Sequence, residues 1–253
     1  MSGHSKWSKV KHQKEATDAV KGKVFTKFAT AIIIAVRGGG GSTDPEANFK
    51  LRLAIEKARS YNVPKENIER AIARGKGAAS GEGLSEVVYE AFGPGGVGII
   101  IEAATDNKQR TVSELKNILE RSGGSLGTTG SVSHFFKLVG LITALKEKKS
   151  YDEIMEGALN AGASDLEEGE ENVEIYTEPG NLHKVKEALL LAHFSVSSFE
   201  LVFRPITTIP ITDPNVARQV LKLLATLEER EDVQKVFANF DIPDEYLTEN
   251  SSC

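Results

Sequence analysis

The chain has 253 residues, of which 40% are hydrophobic and 26% charged, with a net charge of −5 and a single cysteine, Cys253. This length supplies roughly two or three domain cores, and the lone cysteine excludes a disulfide framework and a cysteine-based zinc site. The longest apolar runs, Ala29 to Val36 and Val97 to Ala104, are too short for a membrane span. No apolar signal segment opens the chain, and Asn250 stands where prenylation needs cysteine, so a cytoplasmic protein without a membrane partner is expected.

Charge is distributed unevenly. Residues 1–76 carry 16 Lys and Arg against 7 Asp and Glu, a net of +9, while the remainder carries 15 against 29, a net of −14. A basic module therefore precedes an acidic body, and the contact with any polyanion is expected from the module. Within it, Met1 to Phe28 holds seven lysines and one tryptophan against two acids.

In chain order, Ser8 to Val20 is polar with a weak apolar stripe, a helix of poor independent stability. Val24, Phe25, Phe28, Ile32 and Val36 recur at helical spacing, and Gly38 to Gly41 end that second helix. Asp44 is expected to cap a third helix with Pro45 as its first residue, and Leu51, Ala54, Ile55 and Ala58 form its inner face. A fourth runs from Lys65 to Arg74, closed by Gly75. Gly75 to Gly83 reads as a linker, with 77–83 separating the module from the acidic body. Val87 to Phe92 and Val97 to Ala103 form a hairpin across Gly93 to Gly96. A helix over Arg110 to Arg121 precedes a glycine-rich passage, Gly123 to Gly130. Then come a strand over Phe135 to Leu145, a helix over Tyr151 to Ala161, a strand over Val173 to Thr177, a helix over Leu182 to Ala192 and a strand over Ser195 to Phe203. The closing segment offers a strand over Thr207 to Ile211, a helix over Asp213 to Glu229 and a strand near Val233 to Phe237.

The fold class is therefore α+β and multidomain. An N-terminal all-helical module, 1–76, precedes two small α+β domains of helices on antiparallel sheet. One is discontinuous, 84–132 plus 206–247, and the other, 134–204, is inserted into it. A serial arrangement of the same elements is the alternative.

Several motifs match chemistry by letter alone. Gly93, Gly95 and Gly98 fit a dinucleotide fingerprint, but a strand comes after them where that fingerprint needs a helix; the glycines suit a turn with positive φ. Gly123, Ser125 and Gly127 fit a nucleophile elbow, yet come after a helix, and read as a cap and loop. The five histidines show no metal-ligand spacing. The acids Asp165, Glu167, Glu168, Glu170, Glu171 and Glu174 lack the alternation of a calcium loop and read as a solvated loop. No catalytic residue and no cofactor is expected.

The remaining candidate site is basic. Lys6, Lys9, Lys11, Lys14, Lys21, Lys23 and Lys27 neutralise phosphates, His4 and His12 donate to them, and Trp7 either stacks on an unpaired base or pins the first helix to the second. Arg52, Arg70 and Arg74 extend this surface, the last two on one helix face. The residues point to nucleic acid, with duplex DNA and structured ribosomal RNA both open; the acidic domains are left to meet the ribosome or transcription-machinery proteins.

Gly3-His4-Ser5-Lys6-Trp7, Lys11-His12, Phe25-Thr26-Lys27, Asn67 to Ile72, Tyr89-Glu90, Gly93 to Val97, Thr105-Asp106-Asn107 and Gly127 to Val132 together resemble the YebC family, over Ser2 to about Asp244. The resemblance implies a helical first domain, two α+β domains with the third inserted in the second, and a non-enzymatic regulator of gene expression. Bacterial members carry the label of DNA-binding transcriptional regulators, and a mitochondrial relative that of a translational activator. Thr30-Ala31-Ile32 departs from the family's Arg-Glu-Ile, and Phe49 stands where a proline is usual; Arg52 keeps its place.

Overall fold

The computed structural model describes residues 18–77, 83–147, 149–243 and 246, with side chains from Val24 onward. They fall into two compact units, 136–206 and a larger one comprising the chain on either side of it. No described helix is long and apolar enough to cross a membrane.

In the larger unit, α1 (Asp18–Gly38) buries Ile32, Ile33, Ala35 and Val36. Its first residues take up Asp18 to Val20, which periodicity assigns to a separate earlier helix; the rest of that helix lies outside the described residues. Gly40 and Gly41, both at positive φ, turn the chain. The next helix, α2 (Phe49–Ser60), starts later than Asp44 and Pro45 suggest. Asp44 closes only a local turn, accepting from Glu46 N. The cap is Asn48, whose Oδ1 accepts from Leu51 N at 3.1 Å while Nδ2 donates to Ala35 O at 2.8 Å. A buried side chain that caps one helix and ties it to another outcompetes an exposed Asp-Pro pair, and Asn48 is 6% exposed.

The third helix, α3 (Lys65–Gly77), continues past the expected stop at Gly75. Gly75 is an internal contact: a Cβ there would lie 2.7 Å from Val36 Cβ, so its missing side chain lets α3 close on α1. Ile68 and Ala71 complete that face against Leu51, Ile55 and Ala58 of α2.

Gly75 to Gly77 of the expected linker are helical and residues 78–82 lie outside the described residues; beyond them, β1 (Ser85–Phe92) and β2 (Gly98–Thr105) form an antiparallel hairpin in which Gly95 and Gly96 take the positive φ expected of that turn. Asn107 caps α4 (Lys108–Arg121). Its end is a Schellman closure, with Gly123 N donating to Glu120 O and Gly124 N to Leu119 O, so Gly123 of the apparent nucleophile elbow serves a cap, while Gly127 N donates to Glu90 O in the passage beyond it. A short β3 (Ser125–Leu126) pairs with β1.

The 136–206 unit is an antiparallel sheet with two helices. Its elements are β4 (Phe136–Leu145), α5 (Tyr151–Ala161), β5 (Asp165–Glu168), β6 (Asn172–Thr177), α6 (Leu182–Leu191) and β7 (Ser195–Pro205), in sheet order β5-β6-β4-β7. The acidic run is no solvated loop, for Asp165–Glu168 is an edge strand. Its charges are tolerated because Arg204 holds Asp165 at 2.7 Å and Glu167 at 2.6 Å, and Lys146 holds Glu168 at 2.6 Å. Burial works against the Arg204 charge, but those hydrogen bonds prevail and raise its pKa.

The closing segment returns to the larger unit. Only Ile209–Pro210 of the expected strand forms one, β8, and it pairs in parallel with β10 (Phe240–Asp241). Asp213 caps α7 (Pro214–Glu228), and β9 (Val233–Ala238) pairs antiparallel with β2, giving the order β3-β1-β2-β9. Leu115 and Leu119 of α4 and Val220, Leu224 and Leu227 of α7 pack on Ile99 and Ile101 of that sheet.

Candidate nucleic-acid interface

The expected interface is described only in part. His4, Lys6, Trp7, Lys9, Lys11, His12 and Lys14 lie outside the described residues, and of Lys21 and Lys23 only the helical backbone is described. Lys27 turns inward, its Nζ donating at 2.6 Å to Glu228 O at the end of α7. A cation there satisfies an orphan carbonyl and the negative end of the helix dipole. Arg52 is also engaged, with Nη1 3.0 Å from Glu46 Oε2.

Arg70 and Arg74 share the exposed side of α3 with Lys76. Among the described residues Arg70 donates only to Glu66 O and Asn67 Oδ1, and Arg74 and Lys76 have no carboxylate partner. Donors left to water on a helical face carry little desolvation cost when an anion approaches.

Arg37, absent from the expected set, stands at the end of α1. Its Nη1 donates to Leu84 O at 2.9 Å, its guanidinium lies against Gly83 where a Cβ would collide, and its buried Nε has no partner among the described residues. Together with Arg74, Thr26 and Thr30 it forms one wall of a cleft of about 1020 Å³. The facing wall is largely self-compensated: Arg110 reaches Asp106 at 2.8 Å and Asp232 at 3.3 Å, and Arg230 reaches Glu114 at 3.0 Å. The hydrogen bonds that Arg110 donates to Asp232, ahead of the charge of that carboxylate, hold the Arg110 pKa above its ordinary value. Helical spacing alone could have placed Thr26, Thr30, Ile33 and Arg37 on one stripe of α1; what they face depends on the fold.

Glu90 stands out in the sequence only as part of the Tyr89-Glu90 motif, because its role depends on contacts 40 residues away. Its carboxylate, 7% exposed, accepts from Gly130 N at 2.8 Å, Val132 N at 2.5 Å and Ser133 N at 2.8 Å. Burial pushes its pKa up, but the three backbone donors outweigh this and hold it below the usual carboxylate value. The passage Gly127 to Ser133 is thereby fixed on a rigid sheet, with Thr128 and Thr129 exposed.

Two family models match the chain. Residues 5–78 match the TACO1/YebC protein N-terminal domain, and residues 84–240 match the TACO1/YebC second and third domain. The chain belongs to the TACO1/YebC family. A relative in Sulfurihydrogenibium, named a probable transcriptional regulatory protein, is 49% identical over 98% of both chains. One of the same name in Aquifex aeolicus is 45% identical, again over 98% of each. The crystal structure of a conserved hypothetical protein from Aquifex aeolicus aligns with a TM-score of 0.83 at 44% identity, covering 89% of this chain and 92% of that one. The α+β architecture is thus that of the family. Where this chain departs from the family's usual residues, Thr30 lines the cleft and Phe49 opens α2 directly after its Asn48 cap.

Proposed function

We propose that this chain is a non-enzymatic, cytoplasmic regulator of gene expression that grips nucleic acid through its basic helical module, in line with the name its relatives bear. The observation that carries the reading is the reversal of charge, +9 over residues 1–76 against −14 over the rest. Lysines and arginines that neutralise phosphates release counterions, which gives affinity without sequence choice. His4, Lys6, Trp7, Lys9, Lys11, His12, Lys14, Lys21 and Lys23 form the leading contact, and Arg70 and Arg74 extend it along α3. Lys27 and Arg52 have the weaker claim, since their donors are engaged within the fold. In this reading the chain works as three domains, with 134–204 inserted into the second and the acidic domains meeting proteins. DNA-directed control of transcription is tested by footprinting on duplex DNA at moderate salt, which is expected to protect one sequence well above background; diffuse protection alone speaks against it.

One observation favours a second reading, a translation factor bound to ribosomal RNA. The exposed first turns of α3 carry Glu66 and Glu69, where a recognition helix presents donors to base edges. A basic arm with one aromatic instead suits structured RNA, read by shape and unpaired bases. Co-sedimentation with ribosomes, with and without residues 1–28, separates the readings. Loss of association on truncation supports the translation factor, and no association of either form supports DNA.

A further inference from the structure

We propose that the outer face of α5 and the end of α6 dock a basic amphipathic helix of a partner protein. The inner side of α5 is committed to its own unit, with Ile154 and Ala158 buried and the Phe194 ring over Gly157, where a Cβ would come within contact of the ring. The outer side presents Asp152, Met155, Glu156 and Leu159, at spacings that share one helical face. The end of α6 is a Schellman closure, with Phe194 N donating to Leu189 O and His193 N to Leu190 O. That closure buries Leu189 and Phe194 and turns Leu190 and Leu191 outward, the latter 80% exposed. Phe194 rests on Gly157 on the inner side of α5, so the end of α6 is packed against the helix whose outer side presents Met155 and Leu159.

Of the nine exposed large hydrophobics among the described residues, four are on these two helices, so the exposure is concentrated rather than scattered. Charge selects the occupant. Residues 136–206 hold seven Lys and Arg against thirteen Asp and Glu, a net of −6, and Asp152 and Glu156 flank Met155 and Leu159 directly. A helix with leucines on one stripe and lysines or arginines beside it matches both features.

The test uses the full chain and a fluorescein-labelled Leu/Lys amphipathic peptide of about 18 residues, long enough to span the face. Anisotropy is expected to show saturable binding, weakened about tenfold or more by Leu159→Asp with Leu191→Asp, and likewise by Asp152→Lys with Glu156→Lys. A peptide of the same composition with its leucines scattered around the helix is expected to bind about tenfold more weakly. The sequence has two methionines, so in methyl-labelled wild-type protein the Met155 signal, identified with Met155→Leu, is expected to move on titration; this readout holds even where a variant folds poorly. Equal binding of the scattered peptide, or an unmoved Met155 signal, overturns the proposal. So does a wild-type dimer in sedimentation velocity that the leucine variant abolishes, since a second copy is then the occupant. Nucleic-acid binding by the helical module is independent of either result.

Discussion

Three cations along α3 of the helical module and four cations of the 136–206 unit are treated in opposite ways. In the unit, Lys137, Lys146, Lys186 and Arg204 each sit within 3.1 Å of a carboxylate. On α3 of the module, Arg70, Arg74 and Lys76 face solvent with no carboxylate attached among the described residues. Surface ion pairs contribute little stability, so neither arrangement is dictated by folding. The contrast teaches that the disposition of a charge carries more information than its sign: cations held by the protein's own acids are structural, and cations left to water are available to another polyanion.

The sharpest way to break this contrast is to remove the lysines. Replacing Lys6, Lys9, Lys11 and Lys14 by Ala is expected to lower the slope of log affinity against log salt by about 3 to 4 and to weaken binding by about a thousandfold; an unchanged slope in a filter-binding titration places the contact elsewhere. Next comes Glu90, which belongs to neither charge class. Glu90→Ala strands three backbone donors and is expected to cost about 3 kcal/mol in denaturant unfolding. Because its folded pKa is depressed, the stability Glu90 contributes is present above its unfolded value, near 4.5, and is lost as pH falls through the lower folded value. E90Q should therefore lose that part of the acid dependence of the melting temperature.

Gly75→Leu forces a side chain into Val36 and is expected to cost about 2 kcal/mol, whereas the same change at exposed Gly77, which meets nothing within 4 Å, should cost under about 1 kcal/mol. Arg204→Ala releases Asp165 and Glu167 and should cost about 1 to 2 kcal/mol. Smallest in stability is Arg70→Ala with Arg74→Ala, within about 0.5 kcal/mol of wild type. The same pair should still reduce the salt slope of binding by about 1 to 2, and a measured loss of fold without loss of slope would reverse the assignment of roles.

Periodicity made the helices and strands legible, because each buries one face: α5 and α6 are read within one residue of their observed ends. What escaped was set by distant partners. Asn48 caps α2 because Ala35 O is there to receive it, Gly75 stays helical because Val36 lies opposite, and Asp165–Glu168 forms a strand because Arg204 neutralises it. Lys27 looked like one more surface cation because nothing in the local sequence reveals the carbonyl of Glu228, 201 residues away. Local pattern predicts which side of an element is wet; it says nothing about which partner waits on the dry side.

The pairing of β2 with β9 has a consequence for synthesis. Ile99 lies opposite Ala238, so the hairpin made early acquires its last neighbouring strand only after the whole 136–206 unit has been translated. That unit draws all four strands of its sheet from contiguous chain and is free to fold first. Until Val233, Val236 and Ala238 emerge, Ile99 and Ile101 lack part of their cover, and nascent chains halted before residue 233 should be the ones that chaperones hold and proteases cut.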